Sequence, residues 1–122
     1  MKKTLLVISA LALAVCAFAA VPTPAVPTPD DKTVTVAGIL MDKSCSDMKM
    51  DAKGHDRECG LMPDCVKSGY GIVTTDGKFV LLDAKGNKDA QAWLKATKLK
   101  TNLQVTATGT MDKDVLKVAT LK

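Results

Sequence analysis

The sequence predicts a mainly β domain, with five strands closing into a barrel and one helix between the third and fourth strands. Three observations predict it. Short alternating, β-branched runs recur through residues 33–121, an Asp-Gly pair separates two of them, and one stretch switches to helical spacing. A cysteine-containing segment without periodicity interrupts the pattern after the first strand.

Ahead of the domain lies a leader. Met1-Lys2-Lys3 is a basic start, Leu5 to Val15 an apolar core of eleven residues, and Ala17-Phe18-Ala19 an A-x-A cleavage signal. This is the layout of a secretory signal peptide over residues 1–19, so the chain is expected to be exported, periplasmic or secreted. Eleven apolar residues are too few to span a bilayer, which takes about 20. Leu13-Ala14-Val15-Cys16 approaches a lipobox, but Val15 departs from the small residue wanted before the cysteine, so lipidation through Cys16 is the less favoured reading. Residues 20–31 repeat Val-Pro-Thr-Pro and carry four prolines, which remove amide donors and fix φ. They read as an extended Pro-rich linker. The folded domain is then 32–122.

Thr33 to Met41 alternates, with Val34, Val36 and Leu40 on one face and Gly38 at an expected bulge or bend. Residues 70–75 and 78–83 are strands joined by a two-residue Asp76-Gly77 link, a strong hairpin signal. Asn87 is placed to cap a helix from Lys88 to about Lys98, with Ala90, Trp93, Leu94 and Thr97 on one face. Leu103, Val105 and Ala107 line the fourth strand, Gly109 marks a bend in it, Met111 to Lys113 make a turn, and 114–121 is the fifth strand.

This order is that of the OB-fold barrel. Val36-Ala37-Gly38-Ile39-Leu40, the Asp76-Gly77 hairpin, and Val105-Thr106-Ala107-Thr108-Gly109-Thr110 before Val115-Leu116-Lys117-Val118 resemble small exported bacterial OB-like domains of uncharacterised function. The resemblance implies the architecture and carries over no catalytic residue.

Composition narrows the function classes. Without the leader the chain has 15 bases against 13 acids, too balanced for a strongly cationic nucleic-acid binder. Three aromatics remain, Tyr70, Phe79 and Trp93, too few for a base-stacking platform, and no nucleic-acid partner is expected. No P-loop, dinucleotide fingerprint or nucleophile elbow is present, so the chain is not expected to be an enzyme.

The chemistry is concentrated in residues 42–68, which hold Cys45, Cys59, Cys65 and the single histidine, His55. A connection of 27 residues without its own structure is uncommon, and something must hold it. In an oxidising compartment a disulfide is the first expectation. Cys45–Cys59 or Cys45–Cys65 would staple the loop, and the closure of about 15 residues contributes roughly 3 kcal/mol. Three cysteines leave one over, available for a disulfide between molecules of an expected monomer or for reactive-thiol chemistry. Alternatively Cys45, His55, Cys59 and Cys65 hold a metal as a Cys₃His set that suits zinc, although no C-x₂₋₄-C knuckle is present. Met48 and Met50 add thioethers that suit Cu(I). Against this, Met48, Met50 and Met62 read equally as flexible fillers over the barrel mouth, and His55, between Gly54 and Asp56, as an exposed loop residue. The expected role is a non-catalytic envelope binding module using the face beneath a disulfide-stapled loop, its ligand unknown. The alternative is a copper- or zinc-handling protein.

Overall fold

The computed structural model describes residues 32–122; the expected leader, with Cys16, and the expected Pro-rich linker lie outside the described residues. Strands β1 (Thr33–Asp42), β2 (Tyr70–Thr74), β3 (Phe79–Leu82), β4 (Gln104–Asp112) and β5 (Val115–Leu121) close into an OB-like barrel in the order β1-β2-β3-β5-β4. Strand β1 serves two neighbours. Thr33 to Ile39 pair with β4 and Gly38 to Asp42 with β2, so the strand changes partner at the expected Gly38 bend. All pairings are antiparallel except β3–β5, which is parallel and has only two register pairs, Leu81 with Val115 and Leu82 with Leu116. No helix among the described residues is long and apolar enough to cross a membrane.

The alternation seen in the sequence fills the barrel. Leu40, Ile72, Leu82, Leu103, Val105 and Leu116 are buried there, each such side chain contributing about 1.5–3 kcal/mol. Gly109 lies where β4 shifts register against β5. A Cβ on it would stand 1.9 Å from the Lys117 carbonyl oxygen, so only glycine permits that approach.

Three boundaries differ from expectation. The hairpin is wider than a two-residue link: Gly77 N–H donates to the Thr74 carbonyl, Thr74 N–H to the Lys78 carbonyl, and Gly77 takes φ +81°. This is a type I turn closed by a left-handed glycine, the three-residue hairpin. At the last turn β4 runs on to Asp112, and Lys113 supplies a positive φ of 56°. The helix, α4, spans Ala84–Ala96 and not 88–98. Its cap is Asp83, whose carboxylate accepts from Gly86 N–H at 2.8 Å and also from Val118 N–H at 3.2 Å. Asn87 is inside the helix, where its side-chain oxygen accepts from Tyr70 N–H. A cap that also ties down a neighbouring strand outcompetes one that ties down only its own helix.

Residues 42–68 are not a structureless loop. They contain three short helices, α1 (Lys43–Asp47), α2 (Arg57–Gly60) and α3 (Pro63–Ser68). Each is too short to display a helical period, which is why the sequence pattern hid them. Their starts are nevertheless encoded. Asp42 caps α1, Asp56 caps α2, and Pro63 opens α3.

Candidate functional site

Each short helix carries one cysteine, and the caps decide where it points. Asp42 ends β1 fully buried; its Oδ1 accepts from Cys45 N–H at 2.9 Å and turns Cys45 inward. After α1 the Asp51 carboxylate accepts from Lys53 and Gly54 N–H, and His55 N–H bonds back to the Ala52 carbonyl. This tight turn delivers His55 into the interior, 2% exposed, which overturns the solvent-exposed reading. Asp56 then starts α2 and places Cys59; Pro63 starts α3 and places Cys65.

The segment is stitched to its surroundings. Arg57 donates to the Lys100 carbonyl from its backbone and to the Thr97 carbonyl from Nη1, while Asn102 N–H bonds to the Lys53 carbonyl. From below, the Tyr70 hydroxyl donates to the Gly60 carbonyl at 2.6 Å. A Cβ on Gly60 would stand 3.3 Å from Leu94 and 3.4 Å from His55 Nε2, so a glycine there lets the helix settle onto both.

The result is a buried cluster. Ligand-type atoms of Cys45, His55 and Cys59 lie within 4.8 Å of one another, and those of Asp42, Cys45 and Cys65 form a second such trio, with Cys45 common to both. The sulfurs of Cys45 and Cys59 are 3.9 Å apart, and all three cysteines are free thiols. The expected staple is therefore not formed: a disulfide requires about 2.0 Å. Two sulfurs bound at about 2.3 Å to one tetrahedral ion stand about 3.8 Å apart, close to the separation found.

Burial governs the electrostatics. It pushes the Cys45 thiol well above the usual thiol range, with the nearby Asp42 carboxylate adding to the effect. Cys65 is pushed up to about 11 by burial first and then by Asp42. Burial also lowers His55, against the opposing pull of Asp42 and Asp56. Asp42 Oδ2 lies 3.2 Å from His55 Nε2, yet neither Oδ2 nor His55 Nδ1 has a hydrogen-bond partner among the described residues. Buried polar atoms without partners are costly, and such a pair calls for an explanation. A bound cation supplies one.

Of the residues singled out by sequence, Cys45 meets His55 and Cys59 in one trio and Cys65 in the other. Met48 and Met50 stand apart: they are 64% and 47% exposed, outside the buried cluster that Cys45 and Cys65 share with Met41. Met62 is exposed as well, so none of the three fills a barrel mouth. Asp42, Met41 and Tyr70 are the participants that the sequence did not single out; the only trace of Asp42 was its position just before a helix-capable Lys-Ser-Cys-Ser-Asp run. The barrel face beneath the segment is occupied, with Val73 and Phe79 packed against the cluster. Beside it lies a groove of about 710 Å³, lined by Ala37, Ile39, Lys53, Val73, Gln104 and Lys122 among others.

The chain matches no protein-family model, and no curated protein and no solved structure is significantly similar to it.

Proposed function

We propose that this is an exported, non-catalytic OB-like domain that binds a soft metal ion in the capped segment between β1 and β2. The observation that carries the reading is the pair of ligand trios, Cys45 with His55 and Cys59 and Cys45 with Asp42 and Cys65, which share Cys45 and are buried except at the half-buried Cys59. Three sulfurs and an imidazole are the donor set of a closed Cys₃His zinc site. With Met48 and Met50 exposed, the thioether support for Cu(I) falls away, and zinc moves ahead of copper. The ion would supply charge compensation beside the buried Asp42 carboxylate and would hold three helices that are too short to persist alone. Export rests on the leader motif of residues 1–19, and N-terminal sequencing of the protein from the cell envelope should begin at Ala20.

A second reading is favoured by the Cys45–Cys59 separation of 3.9 Å. Oxidation of this pair makes the domain the disulfide-stapled module, with the 710 Å³ groove as the surface for its envelope ligand.

Thiol counting by mass spectrometry, on protein purified with and without Zn(II) or Cu(I), separates the two. Three thiols shielded from alkylation by one bound zinc ion support the metal reading. One alkylatable thiol and no metal in protein isolated from the envelope supports the staple and removes zinc as the resident partner.

A further inference from the structure

We propose that Asp42 is the positioning carboxylate of the cluster, holding His55 so that Nδ1, and not Nε2, is its metal-binding nitrogen. The inference rests on the metal reading above and specifies its geometry.

The two nitrogens of the ring are in different situations. Nε2 faces Asp42 Oδ2 at 3.2 Å, whereas Nδ1 is buried and has no hydrogen-bond partner among the described residues. A carboxylate opposite Nε2 favours the tautomer with its proton there, because an ionised carboxylate only accepts. Nδ1 is then left with a buried, unshared lone pair, and a ring nitrogen of His55 lies within 4.8 Å of the Cys45 and Cys59 sulfurs. Ligation at Nδ1 would leave Nε2–H to face Oδ2, 3.2 Å away. Such a carboxylate partner both fixes the ring and makes the ligand more basic.

Asp42 cannot easily be exchanged for another group. Its second oxygen, Oδ1, is already committed to Cys45 N–H at 2.9 Å. One carboxylate therefore orients two ligands, a cysteine on its own helix and a histidine 13 residues further on. The residue is fully buried, so solvent water does not stand in for either oxygen. An amide at this position can keep the cap through its oxygen, but it then presents N–H donors to Nε2. That drives the ring proton to Nδ1 and blocks the lone pair.

The test uses Cd(II) as a soft, NMR-active stand-in for zinc. Protein labelled with ¹⁵N-histidine is loaded with ¹¹³Cd(II), and the His55 nitrogens are examined by long-range proton–nitrogen correlation. The expected result is ¹¹³Cd coupling at Nδ1 and a protonated Nε2. Asp42→Asn should lower Cd(II) affinity by about 10- to 100-fold and abolish that coupling. Asp42→Ser, which retains a capping oxygen but nothing to face the ring, should show the same loss with the barrel still folded. Coupling at Nε2 in the unsubstituted protein overturns the proposal while leaving the metal reading intact. So does Cd(II) affinity unchanged in both variants. Failure of the reduced, unsubstituted protein to take up Cd(II) overturns the metal reading itself, and the positioning role with it.

Discussion

Asp42 ends a strand, caps a helix and faces a histidine, yet it is one of six acids in residues 42–68 and nothing in its immediate neighbourhood sets it apart. Residue by residue, the cluster was legible where chemistry is rare. A single histidine and three cysteines in 21 residues stand out in any composition. The carboxylate was not legible, because its burial depends on where β1 stops and how the following segment brings His55 back against it. Tyr70 was similarly hidden; in the sequence it is only the first residue of a strand. Its hydroxyl donates to the Gly60 carbonyl in a buried position. Tyr70→Phe should therefore cost about 1–3 kcal/mol, measured by urea unfolding, because the carbonyl is left without a donor. A change within error would mean that Gly60 finds another partner. Cys59 is the most accessible of the three thiols. Cys59→Ser should leave the metal-free protein folded and remove Zn(II)-dependent stabilisation; zinc binding that survives the change would exclude Cys59 as a ligand.

Among the elements, strands read more faithfully than helices. Alternation over five or more residues identifies a strand because one face must be apolar; β1, β4 and β5 carried that mark in the sequence, while β2 and β3 were placed by the Asp76-Gly77 link between them. Helix boundaries depended on competition between caps. Asn87 has the right chemistry and the right place, but Asp83 bonds to both Gly86 and Val118 and so starts the helix earlier. Asp83→Ala should destabilise the domain by about 0.5–2 kcal/mol through the lost cap, with a further loss from the freed Val118 amide. Asn87→Ala tests the other side of the comparison: its effect should appear in the β2 amide of Tyr70, as faster hydrogen exchange there, and not as fraying of the α4 start. For α1, α2 and α3 no periodic signal exists to be read, since four to six residues cover little more than one turn.

For the whole molecule, a ligand that binds only the folded state adds stability by mass action, about 2.7 kcal/mol at a hundredfold excess over Kd. In a domain of this size that raises Tm by roughly 10–20 °C. Reduced protein should show such a rise with Zn(II), reversed by a chelator; a Tm indifferent to zinc would refute the metal reading. The sign of the pH effect follows from the thiols. Burial raises Cys45 and Cys65, so both are protonated around neutral pH in the metal-free protein, and metal binding must expel protons. Apparent zinc affinity should therefore increase as pH rises from 6 to 8 (isothermal titration in buffers of different ionisation enthalpy counts the protons).

The short parallel join between β3 and β5 gives this barrel a preferred place to breathe. Only two register pairs close it, whereas β1 and β4 share seven. In the circular strand order this seam lies across the barrel from β1, the strand that ends in Asp42. Transient opening should start there, exposing β3 and β5 amides to exchange first. Strand β1 meanwhile stays clamped between β2 and β4, so the cysteine-bearing cap rides on the half of the molecule that opens last.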